Sequence, residues 1–141
     1  MQYGRIDLTK TNYQLDPDAT LLLNPDIEAL KEIYAHYCGY KRFKSVEPLF
    51  SYEILKSDVI GYFDDSNLVA FSIISHVDEI SVRGLQFAWN YKKPSLNLGW
   101  RANFHECAWY KQLGYRYYYL GSHHPYKEKI SGYEILGPIQ L

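Results

Sequence analysis

The chain has 141 residues, of which 47% are hydrophobic, 17% aromatic and 22% charged, and its formal net charge is −1. This length fits one domain, and the apolar fraction is large enough to fill its core. No stretch approaches the ~20 apolar residues that a membrane-spanning helix requires, and the first residues lack the apolar core of a secretory signal. The near-neutral total charge excludes a general nucleic-acid binder on charge alone.

Two isolated cysteines, Cys38 and Cys107, are the only thiols of the chain. Such a pair is neither a disulfide framework nor a zinc-ligand set, so we expect a reducing, cytoplasmic setting and no metal site. Both cysteines fall in predicted helices and are interpreted as packing residues, with a catalytic thiol as the alternative.

Basic side chains are concentrated in one segment. Residues 92–129 hold seven lysines and arginines against two glutamates, whereas residues 1–91 are net negative. A basic segment can attract a phosphate-bearing partner, and a solvated surface would show the same pattern.

The first third of the chain predicts little sheet and one clear helix. Weak strand character at Gly4–Leu8 is followed by an apolar run at Leu21–Leu23 that is interpreted as a short buried strand. Asn24 is the predicted N-cap of a helix that begins at Pro25 and that Gly39 closes. A second short helix is predicted over residues 48–56.

The middle of the chain predicts an antiparallel meander. Its strands are Val59–Phe63, Leu68–Val77 and Ile80 to about Trp89, separated by short polar turns, the first at residues 64–67. One face of such a meander can pack on helices.

The pattern then changes to a crossover. A loop over residues 91–97 leads to a predicted helix at Leu98–Leu113 and a tyrosine-rich strand at Tyr115–Leu120. Strand, helix and strand of these lengths form a βαβ unit with parallel strands, so the fold class is α/β with a mixed sheet. The tail from Gly121 onward is predicted to be irregular. The predicted inner face of the helix consists of Leu98, Ala102, His105, Ala108, Trp109 and Gln112.

The start of the crossover helix is a candidate anion site. Its unpaired backbone N–H groups and the helix dipole favour negative charge, Gly99 permits close approach, and Arg101 adds a cation. Many helices begin with a glycine and bind nothing, so the purely structural alternative stays open.

Ligands of open sheets sit beyond the carboxyl ends of parallel strands. This rule places Asn90, the Gly99 loop and Leu120–His124 around one crevice. The adjacent histidines His123 and His124 are candidate bases, because neutral imidazole accepts a proton near pH 7. Exposed loop histidines are the alternative.

Three segments carry a family resemblance: DDSNLVAFSIISHV, then VRGLQFAWNYKKPSLNLGWRANFHECAWYKQLGYRYYYLG, then YKEKISGYEILGP. Over residues 60–138 the sequence resembles the C-terminal half of arginyl-tRNA–protein transferases and bacterial leucyltransferase-like aminoacyl transferases. The resemblance implies a GNAT-like acyl-CoA N-acyltransferase fold, an antiparallel meander followed by a βαβ crossover. It implies one domain over 1–141, with an N-terminal helical part (1–57) and a part holding sheet, donor-loop helix and tail (58–141).

Some features depart from that family. Larger members carry an N-terminal region with clustered cysteines, and nothing here matches it. Ser122–Pro125 stands where the family has an aromatic residue and a Lys-Met pair, which leaves the acceptor open. The acetyl-CoA loop Q/R-x-x-G-x-G/A of GNAT enzymes is also lacking, and Trp100 would crowd a pyrophosphate at this turn.

The resemblance implies transfer of an aminoacyl group from aminoacyl-tRNA to an amine, either a peptide N-terminus or a small amine, with no cofactor and no membrane or DNA partner. The expected donor-binding residues are Asn90, Leu98, Gly99, Trp100 and Arg101; the acceptor-binding residues are Arg42, Tyr126 and Lys127; the catalytic residues are His123, His124 and Tyr119. The alternatives are an N-acetyltransferase that uses acetyl-CoA and a non-catalytic binding module, for which the cue would be a crevice blocked by Trp89, Trp100 or Tyr118.

Overall fold

A computed structural model describes residues 2–41, 56–90 and 96–137. Within these ranges the strands are β1 Tyr3–Asp7, β2 Ala19–Leu21, β3 Asp58–Asp64, β4 Asn67–His76, β5 Ser81–Trp89, β6 Tyr117–Ser122 and β7 Tyr133–Leu136. The α-helices are α1 Ile27–Lys41 and α2 Leu98–Gln112, and short 3₁₀ turns occur at Leu8–Lys10 and Pro125–Lys129.

The strands form one mixed sheet in the order β2-β3-β4-β5-β6-β1-β7. β5 and β6 run parallel, and the other neighbouring pairs run antiparallel. The helix α2 connects β5 to β6, as a parallel pair requires. The predicted meander and βαβ crossover are therefore confirmed.

A two-residue turn joins β3 to β4 and confirms the turn predicted there. Asp65 and Ser66 adopt φ values of 49° and 71°. Two successive residues with positive φ match the twist of the flanking strands in a tight hairpin, and a short polar side chain such as that of Asp65 tolerates this conformation.

The two helices cover opposite faces of the sheet. Alternation along β4 directs Phe71 and Ile73 toward α1, while Ser72 and Ile74 face α2. On the α1 side the apolar cluster also includes Leu30, Ile33, Tyr34, Cys38, Val59 and Ala88. Full burial of each large apolar side chain stabilises the fold by about 1.5–3 kcal/mol, so both helix positions are strongly specified.

The start and end of α1 correct the sequence prediction. Asp26, not Asn24, caps the helix, because its Oδ1 accepts hydrogen bonds from the backbone N–H groups of Glu28 at 3.1 Å and Ala29 at 3.3 Å. The helix continues through Gly39 to Lys41. A glycine inside a helix costs only about 1 kcal/mol, so it does not by itself end one.

The inner face of α2 was predicted only in part. Leu98, Ala102 and His105 are buried, whereas Gln112 is exposed and Trp109 is half-buried. The other buried residues of this helix are Glu106, Cys107 and Tyr110. The stripe at positions 98, 102, 106 and 110 follows helical spacing, so the polar Glu106 lies in the core by register.

Two peripheral segments complete the sheet. The strand character predicted at Gly4–Leu8 is confirmed by β1, and β2 overlaps the start of the run at Leu21–Leu23, so the N-terminal part is not only helical. The tail, predicted to be irregular, contains β7. β1 lies between β6 and β7. Gly4 allows this, because a Cβ there would collide with the ring of Tyr133 in β7.

The predicted loop over 91–95, the acceptor candidate Arg42 and the predicted helix up to residue 55 lie outside the described residues. Neither α1 nor α2 combines the length and the apolar character that crossing a membrane takes, and the described residues contain no other such helix.

Candidate active site between two diverging strands

The parallel strands β5 and β6 separate soon after they begin. Their register pairs are Ser81 with Tyr117, Val82 with Tyr118 and Arg83 with Tyr119. The sequence placed the crevice at Asn90 and Leu120–His124, whereas the last paired residues of β5 and β6 are Arg83 and Tyr119.

A β-bulge in β5 accompanies the separation. Ile73 of β4 pairs with Gln86, and Ile74 pairs with Gly84, so Leu85 is an extra residue without a partner on β4. A bulge bends its strand and increases its twist. β6 meanwhile stays paired with β1 as far as Ser122. The two parallel strands therefore follow different neighbours, and a gap opens between them.

The bulge also changes which side chains face α2. Gly84 and Phe87 both lie on the α2 side although they are three residues apart, because the extra residue shifts the alternation of β5. A Cβ on Gly84 would lie 3.1 Å from the Tyr118 hydroxyl. The glycine thus leaves room for this hydroxyl where the strands part.

A cavity of about 610 Å³ fills the gap between the strands. Its volume lies within the range of small-molecule sites. The lining comprises Tyr37, Ser72, Gly84, Leu85, Gln86, Phe87, Trp89, Asn97, Leu98, Gly99, Trp100, Ala102, Asn103, Glu106, Tyr118, Leu120, Tyr126, Lys127 and Ile130.

The start of α2 forms one wall of this cavity. Asn97 adopts the left-handed conformation with φ 54° and makes no side-chain cap, and Leu98, Gly99 and Trp100 follow it along the wall. The first N–H groups of a helix have no partner within it, and they carry partial positive charge. This wall is therefore suited to an anionic or carbonyl oxygen.

Lys127 is the one cation among the described lining residues. Its Nζ donates to the carbonyl oxygens of Leu120 at 3.1 Å and Ser122 at 2.7 Å, beyond the last pair of β5 and β6. Desolvation lowers the pKa of Lys127 from its ordinary value. A bound anion would stabilise the charged ammonium of Lys127 and so oppose this lowering of its pKa.

Arg101 turns away from the cavity. Its Nε lies 2.8 Å from Asp16 Oδ2, and its Nη2 lies 3.1 Å from Asp16 Oδ1 and 3.2 Å from Asp18 Oδ2. Burial would raise the pKa of Asp16, but the hydrogen bonds from Arg101 and from the Asp18 N–H outweigh it and lower that pKa. The guanidinium charge is already matched by two carboxylates.

The predicted catalytic residues lie beside the cavity and do not line it. Tyr119 accepts a hydrogen bond from Arg5 Nη1 at 3.2 Å, and the neighbouring Tyr118 side chain points the opposite way, into the α2 core. His123 Nδ1 lies 2.8 Å from the hydroxyl of Tyr133. His124 stacks on Tyr126 with ring centroids 6.0 Å apart.

Of the other predicted site residues, Leu98, Gly99, Trp100, Tyr126 and Lys127 come together on the cavity wall. The ring of Trp100 meets that of Tyr126 edge-on at 6.2 Å. Asn90 continues the sheet, since its N–H donates to Val69 O at 2.7 Å, and it is outside the described lining.

The one carboxylate of the described lining, Glu106, was not predicted from the sequence. It is 3% exposed, and its Oε2 accepts hydrogen bonds from the Tyr62 hydroxyl at 2.5 Å and from Ser72 Oγ at 2.6 Å. Its Oε1 accepts one from the Tyr118 hydroxyl at 2.5 Å. Burial raises the pKa of Glu106, although these hydroxyls oppose the shift. Its helical spacing from Leu98 was the available signal.

The cavity reaches both faces of the sheet. Tyr37 belongs to α1, and its ring lies edge-on to Trp89 with centroids 5.7 Å apart. Burial raises the pKa of Tyr37, and the nearby Tyr126 hydroxyl adds to the shift. Since Tyr126 follows β6 on the α2 side, the gap passes between the two strands.

Solved structures show which class of fold this is. The chain is similar to a putatively assigned acetyltransferase of the GNAT family from Novosphingobium aromaticivorans, with a TM-score of 0.63 and 13% identity over 94% of this chain and 58% of that one. It is also similar to the L-PGS of Bacillus licheniformis, with a TM-score of 0.63 and 15% identity over 86% of this chain and 46% of that one. The fold is therefore that of the GNAT acyltransferases.

A third structure belongs to the same group. It is the C-terminal domain of an Agrobacterium fabrum protein described as a lysylphosphatidylglycerol synthetase, with a TM-score of 0.66 and 14% identity over 86% of this chain. The present chain spans 46% of that chain's length, about half, as it does for the other two structures.

The sequence itself matches one family, arginine-tRNA-protein transferase, C terminus, over residues 27–136. The chain belongs to this family, and the resemblance stated from the sequence is confirmed. A search of the curated proteins gave no match.

Proposed function

We propose that this domain transfers an aminoacyl group from aminoacyl-tRNA to an amine, by attack of the amine on the ester carbonyl. The observation that carries the proposal is the cavity of about 610 Å³ between β5 and β6, bounded by the start of α2 and by Lys127. Family membership supports the aminoacyl donor. The free, buried thiols fit a cytoplasmic reaction.

The donor would enter with its 3′-terminal phosphate against the start of α2. Backbone N–H groups at Leu98 and Gly99 supply partial positive charge, and Lys127 adds a full charge on the same wall. The bulge at Leu85 takes one residue of β5 out of the ladder beside the gap, and a backbone N–H from this bulge would donate to the carbonyl oxygen of the donor. Donors aimed at a developing oxyanion are worth several kcal/mol.

The acceptor amine would approach beside Tyr126. Holding the amine and the carbonyl in one cavity converts a bimolecular step into an effectively unimolecular one, which can supply about 7–11 kcal/mol of the barrier. His124 stacks on Tyr126, and it stays a candidate for proton transfer with His123 and Tyr119.

The non-catalytic alternative required a blocked crevice. Trp89, Trp100 and Tyr118 instead line an open cavity. This arrangement supports a catalytic domain.

Product mass spectrometry tests the proposal. The protein is incubated with a pool of charged tRNAs and with candidate amines, and in parallel with acetyl-CoA. We expect aminoacyl amides from the charged tRNAs, and thermal stabilisation by charged tRNA and not by acetyl-CoA, because only the true donor binds the folded state selectively. Acetylated products instead would establish the acetyl-CoA alternative, and products from neither donor would contradict catalysis.

A further inference from the structure

Glu106 is a buried carboxylate that no cation neutralises within the described chain. The ion pairs of the described residues do not include it. Hydroxyl groups of Tyr62, Ser72 and Tyr118 surround it instead. An ionised carboxylate in such a place is costly, so it gains free energy when it takes up a proton.

The two carboxylate oxygens have different surroundings. Oε2 is held by Tyr62, which is fully buried, and by Ser72. Oε1 is bound by the Tyr118 hydroxyl, which lies beneath Gly84 where the strands separate. Tyr118 and Glu106 both line the cavity. A proton from the cavity can therefore reach Oε1 across one hydroxyl.

The other titratable groups around Glu106 are neutral near pH 7. Burial raises the pKa of Tyr62 and of Tyr118, with the charge of Glu106 adding to both shifts. Burial likewise raises the pKa of Cys107 and of Tyr110, which lie on the same helix. Glu106 is the carboxyl of this described cluster, and burial raises its pKa, while burial lowers the pKa of the neighbouring His105.

We propose that Glu106 is the proton acceptor of the transfer reaction and that the Tyr118 hydroxyl relays the proton to it. This inference rests on the proposed function. As the amine nitrogen bonds to the ester carbonyl, its proton passes to the Tyr118 oxygen while the Tyr118 proton passes to Glu106 Oε1. When the carbon–oxygen ester bond breaks, the proton returns by the same path to the departing ribose oxygen. The products are an amide and an alcohol, and Glu106 is ionised again.

Two tyrosine variants separate the relay from a structural role. Y118F and Y62F each remove one phenolic hydroxyl from the same carboxylate, and Tyr62 is outside the described cavity lining. We expect Y118F to lower kcat by about 10²–10⁴-fold, the usual contribution of general-base catalysis. We expect Y62F to keep most of kcat, with the acid limb of its pH–rate profile moved to higher pH, because loss of a donor raises the Glu106 pKa.

The pH–rate profile of E106Q completes the test. In the wild type kcat should rise with pH as Glu106 ionises, and in E106Q this limb should disappear. Equal kcat values for Y118F and Y62F, or a wild-type acid limb in Y118F, would overturn the relay. If E106Q does not fold, the two tyrosine variants decide the question.

Failure of the relay is distinguishable from failure of the proposed function. If the wild-type protein yields no aminoacyl product, both the proposed function and the relay are wrong. If the wild type and Y118F are both active, only the relay is wrong. A readout without turnover is the ¹³C carboxyl resonance of Glu106, which should titrate above the ordinary glutamate pKa of about 4.3. A carboxyl that titrates at or below that ordinary value would also overturn the proposal.

Discussion

Two carboxylates, one bound to a side chain of α2 and one within α2, have opposite surroundings. Asp16 lies at the outer side, where Arg101 binds both of its oxygens, and its pKa is lowered. Glu106 lies at the inner side among hydroxyl groups, and its pKa is raised. Opposite shifts assign opposite tasks, since a carboxylate locked in an ion pair stabilises structure and one without a cation can exchange protons.

The comparison also explains the charge of the cavity. Arg101 is one of the predicted donor-binding residues, but two aspartates compensate its charge. The cavity wall keeps Lys127 and Glu106 as its charged side chains within the described lining. A cation for the donor and a proton acceptor for the amine thus lie on one surface.

The largest expected effect in this comparison is on stability. Arg101→Ala should lower the free energy of unfolding by about 1–3 kcal/mol, because it leaves the nearly buried Asp16 without its charged partner. Urea denaturation measures this loss. In the double variant Arg101→Ala, Asp16→Asn the free energy of unfolding should fall little further than in Arg101→Ala alone. A variant of unchanged stability whose KM for charged tRNA rises would contradict the structural role and restore Arg101 as a donor ligand.

Lys127 should affect donor binding. Lys127→Met removes the cation of the described cavity wall, and we expect KM for charged tRNA to rise about tenfold, near 1.4 kcal/mol. Lys129→Met is the matched control, because Lys129 lies in the same 3₁₀ turn, is exposed and is outside the described lining. Equal KM values for the two variants would remove Lys127 from the donor site.

The pH dependence of stability should show the two carboxylates with opposite signs. The folded pKa of Asp16 is lowered, so its stabilisation is present above its unfolded pKa of about 3.9 and is lost as the pH falls through the folded value. The folded pKa of Glu106 is raised, so stability falls as the pH rises from about 4.3 through the folded value. Denaturation of D16N and of E106Q across this pH range measures the free energy of unfolding. Each variant should lose the pH dependence that its own carboxylate contributes. Slopes of the same sign would contradict the assignment.

The histidines should have the smallest effect on transfer. His123 contacts Tyr133, and both histidines are outside the described cavity lining. We expect the double variant His123→Ala, His124→Ala to lose far less than the ~10²–10⁴-fold that removal of a general base costs. A loss of that size, with Y118F fully active, would support the base predicted from the sequence.

The sequence predicted the sheet where local patterns determine it. Apolar runs separated by the polar turn at 64–67 indicated the meander, and the change of period around Leu98 indicated the crossover. β7 was not predicted and β1 was indicated only by weak strand character at Gly4–Leu8, because both strands are short and mixed in polarity. Their pairing depends on long-range register, such as Tyr3 with Leu136.

The site was predictable to the extent that it follows from backbone topology. The start of α2 and the end of β6 meet because parallel strands end at one edge of the sheet. Tyr126 and Lys127 come soon after β6, so their position beside the cavity was predictable. Side-chain partners were not predictable. Arg101 pairs with Asp16, a residue 85 positions away in the sequence. The role of Glu106 could not be predicted, because its partners Tyr62, Ser72 and Tyr118 come from three different strands.

Amide hydrogen exchange tests most directly whether the gap between β5 and β6 receives the donor. The protein is compared free and bound to a tRNA whose 3′ end carries a non-hydrolysable aminoacyl amide. We expect slower exchange in peptides covering residues 84–89 and 97–103, with β1 and β7 unchanged. Protection confined to β1 and β7, or none in the presence of bound tRNA, would contradict the proposed site.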